Sequence, residues 1–436
     1  MSAESEKFNQ PGDIVWEDLY LLNSNGARVD ILGLCPEIHI FEDIFLSSMS
    51  GWATIVDTHG IIDTFPVMGQ EELHVKFHTP TMGDSTMEKK FRVMSVTDRE
   101  VVGNKQVYKI HFISYNAYVD LTFIESRALL GTSDVVIEQV LQGILDKATV
   151  LSHTPNKLKL IKGTELPHNR MKFVSPGWAS FKCINYAASQ AISGEYYVAD
   201  YLFFESRSGY TFKALSEIFK QEPIDNFKYD ASTGYESGKF SPEELMRKAL
   251  SLKFVTNDDH MRRFMHKAYG SKTYTHDLLT KRVTIEPIYS PKNGDSLKLP
   301  SMNGFECFAR NAKEFNFSNN LNIQVANSHS LAHNEIIGDN NGLVTNTRDQ
   351  MMARLGFTEL NLEVWGRSWM EVGQLINISI GSYAERNNDT EKQESKKSSG
   401  KYLVTAVHHI LAPSQHKMAI QCVKDSLIEP IEVFNA

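Results

Sequence analysis

Cysteine is scarce and scattered in this chain. The four thiols, Cys35, Cys183, Cys307 and Cys422, stand more than a hundred residues apart. No Cys-x-x-Cys spacing exists, which argues against a zinc ribbon or a dithiol redox motif. Buried thiols of a reducing compartment are the expectation. Long apolar runs are missing as well. Nothing approaches the ~20 residues that cross a bilayer, and the opening MSAESEKFNQPGD is polar, without the apolar core of a secretory signal. Folding in the cytoplasm, without membrane insertion, is expected. Positive charge is in deficit: 45 Lys and Arg against 53 Asp and Glu leave a formal charge of −8. A surface that grips phosphates needs the opposite balance, whereas an acidic one lets a polyanion pass without sticking. Nucleophile elbows, P-loops, dinucleotide glycine fingerprints and metalloprotease helices are all absent. No cofactor and no resident metal are expected.

What is present reads as globular and mainly β. A chain of 436 residues is too long for one ordinary core, so two to four domains are expected. Its 42% hydrophobic, 10% aromatic and 22% charged residues suit soluble domains. In 71–79, Leu73, Val75 and Phe77 alternate with His74, Lys76 and His78, a period of two that predicts a half-buried antiparallel strand. Residues 107–113 repeat the pattern, and 14–22, 37–45, 51–57 and 89–97 are further candidates. Turn signals at Asn23-Ser24-Asn25-Gly26, His59-Gly60 and Gly103-Asn104 separate them. Six or more such strands predict a small barrel or sandwich.

The period changes after Thr132. Ile137, Val140, Leu141, Ile144 and Leu145 form one helical stripe, with Ser133 or Asp134 as its cap. A second helix is predicted from Ser175, with Pro176 in its first turn. Residues 196–205 read as a strand, and a short helix carrying Phe212, Leu215 and Phe219 is predicted after Ser208-Gly209. The capping box Ser241-Pro242-Glu243-Glu244 predicts a helix over 242–253. The text from 255 to 350 shows no organisation. Strand alternation returns in Leu360, Leu362 and Val364, in Ile376, Ile378 and Ile380, and in 402–411 and 416–424. Between them, 381–400 carries almost nothing apolar and reads as a long solvated loop.

Candidate chemistry is thin. His74 and His78 are four apart, which on a strand is about 13 Å, too far for one metal. His408 and His409 are strand neighbours that point to opposite faces, one expected inside and one outside. Glu71-Glu72 and Glu42-Asp43 are carboxylate pairs, but a hydrolase needs two carboxylates across a cleft. Trp365 and Trp369 flank Gly366-Arg367 and read as a turn with a tryptophan packed on each side, or as a stacking platform.

Several phrases resemble one known family in their order: GWATIVDTHG (51–60), DTFPVMGQEEL (63–73), FHTP (77–80), FRVMSVTDR (91–99) and YKIHFIS (108–114), then FFESRSGYTF (203–212), then YLVTAVHH (402–409) with VKDSL (423–427). The likeness is to the baseplate central hub proteins of contractile-tailed bacteriophages, related to the hub part of type VI secretion spikes. It covers about half the residues and nothing in 255–350. It implies an α+β, mainly β chain with two tube-type antiparallel β-barrel domains joined by a helical and mixed insertion. Residues 1–125 would form the first barrel and 126–195 the helical insertion. Residues 196–236 and 350–436 would form the second barrel, around a mixed region at 237–349.

The resemblance further implies a homotrimeric ring of pseudo-sixfold symmetry, a structural part and not an enzyme. Its partners would be a central spike protein, a tail tube or tube-initiator protein and other baseplate proteins, with DNA passing through unbound. Its place would be the virion tail, assembled in the host cytoplasm. The text ends soon after the last strand signal, so a separate spike protein is expected. The apolar loop Phe65, Pro66, Val67, Met68 and Gly69 is the candidate interface; it packs either on a neighbouring chain or over its own β-domain. The hub of a secretion-system or pyocin-like particle, and a tail-associated cell-wall hydrolase, are the competing readings.

Overall fold

Alternation builds the first part of the chain. The computed structural model describes residues 10–65, 67–80, 86–151, 159–229, 242–257, 259, 261, 265–268, 271–277, 281–288, 300–303, 321–326, 341–381 and 394–429. Strands β1 (Val15–Leu22), β2 (Arg28–Asp30), β3 (Glu37–Asp43) and β4 (Ser50–Asp57) lead to a single helical turn, α1 (Ile61–Thr64). Then come β5 (Glu72–His78), the 16-residue β6 (Met87–Val102) and β7 (Lys105–Ser114). Every predicted strand of this region is found. Leu73, Val75 and Phe77 face a core shared with Ile38, Ile40 and Phe112, as period-two burial requires. The polar face of β5 is less open than expected. His74 is buried, its ring stacked 4.5 Å from that of Tyr20 and 3.1 Å from the Tyr20 hydroxyl.

The middle of the chain packs helices on short strands. It runs α2 (Tyr115–Thr122), β8 (Ile124–Glu125), β9 (Ala128–Thr132), α3 (Ser133–Leu151), β10 (Leu160–Lys162), β11 (Arg170–Val174), β12 (Trp178–Ala179) and α4 (Ser180–Ser189). The predicted stripe on α3 is buried through Val140, Leu141 and Ile144. Helix α4 starts five residues later than the sequence predicts. Gly177 turns at φ +74°, a conformation that favours glycine. Residues 178–179 then pair with 124–125, and the Ser175 hydroxyl donates to the Glu125 carbonyl at 2.7 Å. The backbone that would begin the helix is therefore used in a strand pair.

Strands β13 (Tyr201–Ser206) and β14 (Gly209–Ala214) form a hairpin, followed by α5 (Leu215–Phe219) and β15 (Asn226–Tyr229). Ser208-Gly209 is thus a hairpin turn, and the helix begins only at Leu215. All six residues of β13 are buried, because two cores share it. Leu202 and Phe204 belong to the core of the C-terminal strands, while Tyr201 and Phe203 belong to the core of α2, α3 and α4.

Helix α6 (Pro242–Met246) is shorter than its capping box predicts; Ser241 lies outside the described residues. β16 (Ser251–Asn257) takes over, pairing with β20. Long-range pairing outweighs local helix propensity here. β17 (Ser271–Asp277), β18 (Val283–Ile288) and β19 (Leu321–Ala326) form a separate sheet. Then follow α7 (Asn341–Leu355), β20 (Thr358–Trp365), β21 (Leu375–Ile380), β22 (Gly400–Ala412) and β23 (Gln415–Lys424). The solvated loop expected between β21 and β22 falls mostly on 382–393, outside the described residues.

The described residues do not show two closed barrels. They make one large sheet in the order β16-β20-β23-β22-β3-β4-β7-β6-β5-β1-β2, with β21 beside β22 and β15 beside β21. The join is the antiparallel pair β3–β22, from Ile38↔Leu411 to Asp43↔Ala406. Among the described residues no ladder closes on itself. Two hydrophobic cores nonetheless lie on either side of the join.

Candidate functional site

The loop after α1 is fastened by its own backbone. The Asp57 carboxylate accepts the N–H groups of His59 (2.9 Å) and Ile62 (3.1 Å). Burial raises its pKa, but these and neighbouring backbone donors outweigh it and hold it below the ordinary carboxylate value. Glu71, itself buried, accepts the N–H groups of Met68 (2.8 Å), Gly69 (3.0 Å) and Gln70 (3.0 Å). Gly69 sits at φ +89° with the Met94 carbonyl oxygen 3.0 Å from where a Cβ would stand. Only glycine accepts both conditions.

Among the candidate interface residues, Phe65 and Val67 turn inward and join the chain's own core. Met68 points out, 72% exposed. Pro66 lies outside the described residues. Among the described residues of the loop, Met68 is the apolar side chain offered to a neighbour, and Gly69 serves as backbone. The apolar surface continues on β6. Strand β5 pairs with β6 only from Met87 to Arg92. From Met94 to Val102, β6 has no strand on the side opposite β7 among the described residues. Met94, Val101 and Val102 are exposed along that stretch. At the far end of the sheet, β16 pairs β20 on one edge and no strand on the other among the described residues, with Val255 exposed. Sequence reasoning found the Met68 loop but not these two edges, since an edge is defined by which strand is missing beside it.

The other candidates resolve into structure. Trp365 and Gly366 lead into Arg367, which is fully buried, ion-paired to Asp225 and 4.3 Å from the Phe227 ring. Burial lowers the Arg367 pKa to about 10, and its guanidinium acts as an internal clamp. Glu71 is spent on backbone donors. Glu72 faces His74 at 3.4 Å and Arg92 at 3.8 Å. Glu42 is buried within the sheet, beside the N–H of Val372 at 3.3 Å. Glu71 and Glu72 are engaged in internal contacts, and Glu42 lines a groove with Asp43 and Glu363 while its own carboxylate is buried in the sheet. Cys35, Cys183 and Cys422 are buried free thiols, and burial pushes Cys35 up to about 12; Cys307 lies outside the described residues. No cluster of three or more metal-ligating side chains occurs among the described residues.

His39, His408, His409 and His416 gather at the β3–β22 join. Nδ1 of His39 is 2.7 Å from Nε2 of His408, and Nδ1 of His409 is 3.1 Å from Nε2 of His416. The strand neighbours His408 and His409 do point to opposite faces, as expected; His409 is completely buried.

The fold is similar to that of two tail proteins of known structure. The chain superposes over 94% of its length on the 43 kDa tail protein of prophage MuSo2 from Shewanella oneidensis, with a TM-score of 0.54, 8% identity and 99% of that chain covered. A tail protein from Neisseria meningitidis MC58 matches over 94% of the chain and 97% of its own, with a TM-score of 0.52 and 8% identity. At such identity the likeness is one of fold. In sequence, the chain is 20% identical over 403 residues to the "Probable baseplate hub protein gp334" of Vibrio phage KVP40, covering 87% of each protein. The resemblance to baseplate hub proteins, read from scattered phrases, thus extends over most of the chain. No family model matches it.

Proposed function

We propose that the chain is the central hub of a contractile-tail baseplate, a structural ring of three copies and not an enzyme. The ring adapts a sixfold tail tube to a threefold spike and leaves a channel through which DNA passes unbound. Each copy brings two tube-type β units, residues 1–125 and residues 196–236 with 350–436, joined by 126–195 and 237–349. Its partners are the spike, the tube or its initiator, and other baseplate proteins. Its place is the virion tail, after assembly in the host cytoplasm.

The observation that carries this reading is the open sheet, in a chain similar along most of its length to a baseplate hub protein. An exposed strand edge offers unpaired N–H and C=O groups to any passing strand, and ring closure removes it. Among the described residues, the β6 edge from Met94 and the β16 edge are two such edges at opposite sides of the sheet's central run. The next copy of the chain is their occupant, with Met68 beside the β6 edge. Obligate ring contacts of this kind commonly bury more than ~2,000 Å². The formal charge of three times −8 suits a lumen that DNA does not adhere to.

Light scattering on a sizing column tests the reading. A particle of three times 49.4 kDa is expected, alone or on addition of the spike protein. A monomer that persists at high concentration with the spike present refutes it.

A further inference from the structure

The histidines at the join form two relays of the same kind, one on each face of the sheet. On the outer face, Oε1 of Glu37 lies 2.8 Å from Nε2 of His39, whose Nδ1 meets Nε2 of His408 at 2.7 Å. On the core face, Oε1 of Glu42 lies 3.5 Å from Nε2 of His409, whose Nδ1 meets Nε2 of His416 at 3.1 Å. Each set runs carboxylate, inner imidazole, outer imidazole; the two imidazoles are within hydrogen-bond reach, whereas the carboxylate stands at ion-pair distance without hydrogen-bond geometry. Glu37, His39 and Glu42 lie on β3; His408 and His409 lie on β22 and His416 on β23. The imidazole pair itself spans the β3–β22 join on the outer face; on the core face the carboxylate contact spans it and the imidazole pair ties β22 to β23.

Proton counting shows what such a relay tolerates. With both rings neutral, the outer ring donates one N–H to the inner ring's lone pair. One added proton also fits: the inner imidazolium faces its carboxylate and donates to the outer ring. A second proton does not, because two N–H donors and two positive charges then meet across about 3 Å. We propose that the β3–β22 join is a proton-operated joint: each imidazole pair holds one added proton, a second in the outer pair parts His39 from His408 and with them β3 from β22, and a second in the core-face pair parts β22 from β23 beside the join.

The surroundings leave little to offset the second proton. Trp52 of β4 stacks on His39 at 3.7 Å, Phe41 on His408 at 4.3 Å, and the Lys109 ammonium of β7 stands 5.3 Å from the Trp52 ring. His111 of β7 pairs with Trp52 across the ladder and bonds Thr97 of β6. Lys417 of β23 stands opposite Ile410. Asp43, Lys253 and Glu363 line the groove beside His408, and Asp43 is spent on the N–H of Phe45. Around His416 are the Phe77 ring, the backbone of Gly366 and the His409 imidazole. Burial first, and neighbouring imidazoles second, lower His408 to about 4 and His416 well below its ordinary value. A lowered imidazole pKa makes stability full above the unfolded value of about 6.5 and lost as pH falls toward the folded one.

Hydrogen exchange of the full chain tests the joint. Protection factors of amides 38–43 and 406–411 are compared with those of the β4–β7 ladder, from neutral pH to about 4. The join is expected to lose roughly tenfold or more of its protection relative to the reference ladder. The double variant His408→Gln with His416→Gln should abolish that difference. Because His416 is packed tightly on Gly366, His408→Gln alone provides the second arm, and it must move the midpoint of loss to lower pH. Equal loss in join and reference overturns the proposal, as does an unmoved midpoint in His408→Gln.

Discussion

Replacing Lys89 by Met tests how the first β segment is braced to the middle of the chain. Lys89 lies on β6 and Glu205 on β13; Nζ is 3.2 Å from Oε1, and both side chains are at most 2% exposed. The second carboxylate oxygen accepts the Met49 N–H at 3.1 Å. Burying two charges is costly, and their attraction roughly offsets that cost. Removing one partner is different, because the other charge stays in a site with no water to solvate it. Lys89→Met should therefore cost about 3–5 kcal/mol, a large part of a whole domain's stability of about 5–15 kcal/mol. Adding Glu205→Leu removes the stranded carboxylate and leaves only the Met49 N–H unpaired, at about 1–3 kcal/mol. The double variant should thus be more stable than Lys89→Met alone. Urea titrations followed by tryptophan emission give all three values. A Lys89→Met cost below about 1 kcal/mol, or a double variant that is merely the sum of the singles, would show that the pair is solvated and that this account of the brace is wrong.

Other predictions probe assembly and pH. Met68→Asp should leave the melting temperature of the monomer within about 2 °C while lowering the trimer fraction by light scattering. Phe65→Asp should instead unfold the first β segment, since Phe65 sits in its core. Val101→Lys, on the open β6 edge, should weaken assembly without changing the circular dichroism of the monomer, because an edge lysine opposes strand addition. Asp200 is almost wholly buried, and burial raises its pKa from 3.8 to about 6, with Ser216 N–H donating to it at 2.8 Å. A raised carboxylate pKa means the native state holds the proton more tightly than the unfolded chain, so stability falls as pH rises from about 4 to about 6. Asp200→Asn should remove about 3 kcal/mol of that fall, read as flatter melting temperatures across the window.

Local periodicity made much of this architecture legible. β5, β7, β20 and β23 could be read because each alternates cleanly over five or more residues, and burial follows that alternation. The pairing partners could not. His39 and His408 stand 369 residues apart, and nothing in either strand's own text names the other. The same limit explains the shortened helix after Pro242. Its capping box is a local signal, whereas β16 is held by a ladder to β20 more than a hundred residues on. At the candidate site, five apolar residues in a turn are too few to carry a period. Phe65, Val67 and Met68 look alike in sequence, and only the Glu71 nest and the fit of Gly69 against β6 decide which turn inward. The consecutive carboxylates Glu71 and Glu72 looked like a pair, yet one closes the turn and the other answers a histidine and an arginine.

The absence of a sequence repeat is no obstacle to pseudo-sixfold symmetry. A ring of three copies presents six similar faces if the two β units of each chain share a shape. Shape depends on strand order, register and the volume of the core, and unlike sequences meet those conditions readily because cores tolerate broad apolar substitution. What such a chain cannot do without is a fixed angle between its two units, since an error there is repeated at every step around the ring. The β3–β22 ladder fixes that angle through backbone hydrogen bonds along six residue pairs, and the reciprocal bonds between Thr79 and Ser368, at 3.0 and 2.9 Å, tie the same two units a second time. Two attachments constrain rotation where one leaves a hinge. In the proposed ring the join would carry the geometric precision that closure demands, and the proton-sensitive element proposed there would act on the whole ring and not on one strand pair.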